Sequence, residues 1–201
     1  MVGQGAAGWD ARHAAAADDG GAPPSPTVTA VLAALPDGPA PRRALDLGAG
    51  LGRHARWLAA RGWSVTAVDA SAVAGERAGR AAAAAGLTVA TVTADLTTWA
   101  GPPLPVGLAL VAHVQLEPAT WARVRGWLAP GGRLVVVGHA AASAEGPRDP
   151  ALRHTPASAR AAASGLVVER LEEVPREGGL DLVLVARRPA GAGGPCGTVG
   201  P

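Results

Sequence analysis

Residues Ala44 to His54, read as A-L-D-L-G-A-G-L-G-R-H, constrain the fold more than any other stretch of the chain. A short apolar strand (Ala44, Leu45, Leu47) carries an acid at Asp46 and runs into three glycines, Gly48, Gly50 and Gly52. Glycines at alternate positions let the backbone turn sharply and approach a ligand where a side chain would clash. The amphipathic stretch that follows is read as a helix whose free N–H groups and positive end face that ligand, favouring a carboxylate or a phosphate. A second acid, Asp69, ends the next apolar run, Ser64 to Val68, at the distance where a βαβ unit reads ribose hydroxyls. The pattern marks a nucleotide-type cofactor site.

Two cofactor chemistries compete for it. Gly50 to Ala55 fits the dinucleotide pattern G-x-G-x-x-G/A. A pyrophosphate is already anionic, however, and Asp46, two residues before the first glycine, adds a like charge nearby. A ligand with an ammonium and a sulfonium gains from that carboxylate instead. The acid followed by G-x-G-x-G resembles motif I of the class I S-adenosylmethionine-dependent methyltransferases.

Composition bounds the rest. At 201 residues, one domain with a proper core is expected. All 18 basic residues are Arg, and Asn, Ile, Tyr and Phe are missing along with Lys, so alanine runs and arginines carry less information than usual. A net charge of +2 without a basic cluster gives no reason to expect nucleic acid. The single cysteine, Cys196, can form no internal disulfide. No signal-peptide pattern or run of about 18 apolar residues is found, so a soluble cytoplasmic protein without membrane contact is expected.

Residues 1–26 read as a flexible N-terminal segment, residues 1–8 as disordered, with a short helix from Trp9 to Ala17 in which Trp9 and Asp10 could cap the cofactor. A helix over Thr27–Leu35 precedes the first strand. Strands are expected over 44–47, 64–68, 87–93, 107–113, 133–138, 166–174 and 180–187, and helices over 53–61, 71–85, 118–128 and 156–164. Ser71 and Gly86 bound the second of these four helices. The connection Pro175–Gly179 is too short for a crossover, so the last strand is antiparallel. The fold class is α/β, a Rossmann-like seven-stranded, mostly parallel sheet with helices on both faces. The domain is placed at 27–188 and a disordered tail at 189–201.

The resemblance covers roughly residues 40 to 188. It implies that Asp46, Gly48, Ala49, Gly50 and Gly52 hold the methionine end of S-adenosyl-L-methionine. It puts Asp69, Ala70 and Ser71 at the ribose, and Ala94, Asp95 and Leu96 near adenine. Strand four, L-A-L-V-A-H-V-Q-L, resembles the segment leading to the transfer site, which places Ala112 and His113 there. W-L-A-P-G-G-R-L-V-V-V-G-H resembles the family's approach to strand five. Together with Gly146–Pro150, these segments are similar to the thiopurine and tellurite subgroup. Leu51 departs from that subgroup, whose members often carry an acid there, and an N-P-P-Y-like motif after strand four is missing.

The residues leave simpler roles open. Asp46 can cap turn amides, Asp69 can cap a helix and Asp95 can close an Asx-turn. His54, in the first turn of a helix, faces either a cofactor carboxylate or solvent. His113 and His139 are the candidate catalytic bases, because imidazole has a suitable pKa. No H-x-x-x-H or C-x-x-C spacing supports a metal. The expected activity is methyl transfer to a small-molecule thiol, hydroxyl, amine or chalcogen by a monomer or homodimer. A non-catalytic S-adenosylmethionine-binding module and an NAD(P)-dependent oxidoreductase are the alternatives.

Overall fold

The computed structural model describes residues 5–16, 23–36 and 42–190. Cys196 and residues 191–201 of the tail lie outside the described residues, as do residues 17–22 ahead of the first core helix. Seven strands form one sheet: β1 (Arg43–Leu47), β2 (Ser64–Asp69), β3 (Val89–Thr93), β4 (Val106–Ala112), β5 (Leu128–His139), β6 (Val167–Arg176) and β7 (Gly179–Arg187). Their order is β3-β2-β1-β4-β5-β7-β6. The first five pair in parallel, and β7 lies antiparallel between β5 and β6. The short Pro175–Gly179 connection therefore does what its length requires.

Alternation along each strand sends side chains to two cores. On one face, Leu45, Leu47, Ala109, Val111, Leu134 and Val136 pack with Trp121 and Val124 of α5 (Pro118–Trp127) and Ala159 and Ala162 of α6 (Pro156–Ala162). On the other, Leu108, Leu110, Val135 and Val137 meet Val28 and Val31 of α2 (Pro26–Ala33) and Ala55 and Leu58 of α3 (Arg53–Ala59). Strand β4 is buried along its whole length, as a central parallel strand covered on both faces must be.

Helix α4 (Ala72–Ala84) shows how local sequence sets its ends. The Ser71 side chain accepts from the Ala74 N–H at the start. At the end, Gly86 takes φ +68° while Leu87 N–H donates to Ala82 O and Gly86 N–H to Ala83 O, a Schellman closure. Leu87 thus belongs to the cap, and β3 starts two residues later than expected. Strand β5 begins earlier than expected, at Leu128, because Leu128 pairs with Val106 before the Pro130-Gly131-Gly132 turn shifts the register and Arg133 pairs with Leu108. Helix α6 ends at Ala162 rather than Ser164.

The short helix expected over Trp9–Ala17 is helix α1 (Ala6–Ala15), which begins three residues earlier, inside the stretch read as disordered. Its alanines favour a helix. Tertiary contacts hold it: Asp10 Oδ1 accepts from Ser71 Oγ at 2.5 Å and from Val73 N–H at 3.3 Å. Arg77 also donates to the His13 and Ala16 carbonyls. Among the described residues no helix is long and apolar enough to cross a membrane.

Candidate active site

The glycine loop between β1 and α3 is built from backbone hydrogen bonds. Gly48 N–H and Ala49 N–H both donate to Val68 O, at 2.8 and 3.1 Å. Gly48, Gly50 and Gly52 all have positive φ, between 53° and 74°. Crowding adds to that requirement at two of them. A Cβ on Gly48 would stand 2.5 Å from Val114 Cγ2, and one on Gly52 would stand 2.8 Å from Ala78 Cβ. Gly52→Ala therefore combines a left-handed alanine, costing roughly 1–2 kcal/mol, with an overpacked contact to α4 of roughly 1–3 kcal/mol. The expected result is a Tm about 10 °C lower in a thermal melt; an unchanged Tm would show that the loop relaxes freely.

Asp69 joins the loop to the end of β2. Its Oδ2 accepts from Gly50 N–H at 2.8 Å and its Oδ1 from Ser71 N–H at 2.9 Å. Each carboxylate oxygen retains a lone pair for a further donor. Above this floor lies a cavity of about 830 Å³, lined below by Gly48 to Leu51, Asp69 and Ala112 to Gln115. Trp9, Arg12 and His13 of α1 form one wall, and His139, Pro147, Leu152 and His154 another. Such a volume suits a cofactor with a small second substrate.

The structure brings some expected site residues to this cavity and not others. Gly48, Ala49, Gly50, His54, Asp69, Ala112, His113 and His139 line it. Asp46, Gly52, Ala70, Ser71, Ala94, Asp95 and Leu96 are not in its wall. Asp46 is buried beneath the loop, where it hydrogen-bonds the Ala55 backbone at the start of α3 and leaves Oδ2 without a partner. Burial, with a smaller contribution from the Asp69 charge, pushes its carboxyl up to about 7. Asp95 is an Asx-turn residue: its Oδ1 accepts from Thr97 N–H and Thr97 Oγ1, both at 2.8 Å. Leu96 is buried in the core. Ser71 turns its hydroxyl to Asp10 of α1, and that bond is the first cause holding the Asp10 carboxyl below its ordinary value.

His54 is buried and its Nε2 accepts from Ser25 N–H at 3.2 Å, so that ring nitrogen is occupied from α2's N-cap. Desolvation, then the Arg53 charge, lowers its pKa to about 3, which keeps it neutral. Trp9 is in the wall as expected, whereas Asp10 faces α4.

At the carboxyl ends of the central strands β4 and β5 two histidines meet. His113, just past β4, is the one described non-glycine residue with positive φ, at 57°. Strain of this kind persists only where the surroundings hold it, and it concentrates at functional positions. Its ring lies 5.1 Å from that of His139 at the end of β5. The β5–β7 register sets Asp181 directly opposite His139. Arg176 Nε donates to Asp181 Oδ1 at 3.0 Å, and Arg176 Nη2 lies 3.0 Å from His139 Nδ1. Desolvation lowers the pKa of both histidines, that of His113 to about 4. Sequence reasoning missed Arg176, Asp181 and His154. The hairpin was legible, but which β5 residue Asp181 would face depended on β7 inserting next to β5.

Comparison with known proteins follows the same lines. Residues 44–132 match a family described as a methyltransferase domain. No curated protein matches the sequence. Among solved structures, a protein that converts a disulfide bond into a thioacetal group during echinomycin biosynthesis superposes with a TM-score of 0.71 at 21% identity, covering 94% of each chain. The [4+2]-cyclase SpnF gives 0.67 at 20% identity over 86% of this chain and 85% of its own. An S-adenosylmethionine-dependent methyltransferase from Mesorhizobium loti gives 0.62 at 23% identity, over 80% and 96%. The chain has the fold of the class I S-adenosylmethionine-dependent methyltransferases. The stretch matched by the family runs from β1 through the glycine loop to the turn before the core of β5, and β7 supplies the antiparallel strand that a plain dinucleotide domain lacks.

Proposed function

We propose that the chain is an S-adenosylmethionine-dependent methyltransferase acting on a small-molecule acceptor. The observation that carries this reading is the floor of the cavity. A loop of three positive-φ glycines is tied to the end of β2 through Gly50, whose N–H donates to an acid, Asp69, that still has acceptor capacity toward the cavity. A side chain at Gly48 would strike Val114, so only glycine fits at that position. In this reading Gly48 to Gly50 take the methionine end, Asp69 takes the ribose, and Ala112 and His113 border the reacting methyl group. Held there, S-adenosylmethionine would supply an activated methyl group for transfer to the acceptor heteroatom, its sulfur keeping the bonding pair. The chain's contribution is alignment and exclusion of water, which in well-oriented systems is worth up to roughly 7–11 kcal/mol. His113 or His139 takes the proton that a hydroxyl, amine or thiol acceptor brings.

The similarity to the thiopurine and tellurite subgroup extends this to soft or protic acceptors. The cyclase among the structural neighbours makes a second outcome concrete, a cofactor-binding fold put to another use. Calorimetry with S-adenosylmethionine, S-adenosylhomocysteine and NADH tests the proposal. Micromolar binding of the first two, without NADH, is expected. Binding of NADH alone would overturn it. Binding without turnover on thiols, phenols, amines or tellurite would favour the binding-module reading.

A further inference from the structure

The pair His113 and His139 sits beside two residues that no cofactor role explains, Arg176 and Asp181. Asp181 is completely buried, and its Oδ2 has no partner. His113 Nδ1 is likewise buried without a partner. Ring nitrogens of the two histidines and a carboxylate oxygen of Asp181 lie within 4.8 Å of one another. Orphaned buried polar atoms are costly and call for an explanation.

A divalent metal is one explanation, since two histidines and a carboxylate form a ligand set. Arg176 argues against it. Its guanidinium is a permanent cation that already donates to Asp181 and lies against His139, so it occupies the space and the charge a metal ion would use.

The same contacts fix proton positions. Arginine has donors only, so His139 Nδ1 must accept and the neutral ring carries its proton on Nε2. Asp181 Oδ1 is taken by Arg176, which leaves Oδ2, an acceptor, as the group for His113. A ring nitrogen of His113 and a carboxylate oxygen of Asp181 lie within 4.8 Å of each other, a separation that one bridging water spans. An acceptor opposite Nδ1 draws the His113 proton to Nδ1 and leaves Nε2 free to accept. Desolvation keeps both rings neutral, the state a base requires.

We infer that Asp181 and Arg176 are positioning residues that hold the two histidines in opposite tautomers, His113 as the proton acceptor and His139 as a hydrogen-bond donor. This rests on the methyltransferase reading and narrows its substrate to acceptors that arrive protonated at oxygen, nitrogen or sulfur. Such a group gives its proton to His113 Nε2 as the heteroatom gains the methyl group, while His139 Nε2–H can donate to an acceptor atom of the same molecule. A chalcogen oxyanion would use neither role.

The test needs neither cofactor nor acceptor, so it stands apart from the calorimetry. Long-range proton–nitrogen correlation spectra of 15N-labelled apo protein report the tautomer of each of the five histidines, assigned with His→Gln variants. His139 is expected as the Nε2–H form and His113 as the Nδ1–H form. In Asp181→Asn, Arg176 keeps the amide oxygen and turns the amide N–H₂ toward His113, so the His113 tautomer should invert. In Arg176→Gln, His139 should lose its single tautomer while His113 keeps its own. Both variants are checked for native amide spectra first, and either one alone is sufficient. The same tautomer in both wild-type rings, or an unchanged ring in the matching variant, would overturn the inference. So would an equimolar zinc addition that shifts both rings together, because the groups would then be ligands.

Discussion

Asp69→Ala is expected to weaken S-adenosylhomocysteine binding at least 100-fold, which is about 2.7 kcal/mol. The variant loses two things at once. The carboxylate pins Gly50 N–H and Ser71 N–H with bonds of 2.8 and 2.9 Å, and hydrogen bonds to a charged group contribute about 1.5–3 kcal/mol each. Without them the glycine loop is no longer tied to the end of β2. The ribose also loses its acceptor. Asp69→Asn should fall between, because an amide has one oxygen for two N–H donors and must turn its own N–H₂ toward either Gly50 or Ser71. Calorimetry on the three proteins decides the matter. An Asp69→Ala dissociation constant within threefold of wild type would remove Asp69 from the cofactor site and leave it a purely internal brace.

Asp46→Asn is expected to remove a pH-dependent loss of stability that the wild type shows between about pH 4 and 7. The carboxyl is buried under the glycine loop and its pKa is raised from 3.8 to about 7. A folded-state pKa above the unfolded one means the folded protein binds the extra proton. Stability from this group is therefore fully present below about pH 4 and is lost as pH rises through 7. A shift of that size corresponds to at most about 4 kcal/mol, less whatever the site recovers by relaxing or admitting water. The asparagine keeps an oxygen for the Ala55 N–H and does not titrate. Urea titrations at pH 5 and pH 8 should show the variant gaining on the wild type by a few kcal/mol at the higher pH. An equal difference at both pH values would mean that Asp46 is ionised throughout. The expected cofactor contact of Asp46 is tested by the same protein. An acid that only braces α3 lets Asp46→Asn bind S-adenosylhomocysteine as the wild type does.

Much of this architecture was legible before any coordinates. Strand positions followed from apolar runs ending in acids, and helix α4 from Ser71 at its start and Gly86 at its end. The antiparallel last strand followed from a connection too short to cross the sheet. These are local facts: a turn's φ, a cap's hydrogen bond and a strand's period depend on neighbouring residues. The site residues divide on the same ground. Gly48, Gly50 and Asp69 stand where their spacing put them, because strand, loop and strand end are fixed within one βαβ unit.

Less legible was what depended on which surfaces meet. The short helix expected over Trp9–Ala17 is present as α1, but its docking on α4, through Asp10 to Ser71 and Arg77 to the His13 carbonyl, was not legible. Asp95 matched a motif by position, yet its carboxylate satisfies Thr97 at the surface. Asp46 matched as well and lies under the loop, away from the cavity wall. Arg176, Asp181 and His154 carried no signal at all. Asp181 is 42 residues beyond His139, and the two meet because β7 inserts beside β5 in one register. The sequence by itself determined the strand–glycine–helix unit and the order of elements, since those follow from short-range sterics and hydrogen bonding. The tertiary structure alone decided which acid faces which histidine, because burial and proton position depend on long-range pairing that no local pattern encodes.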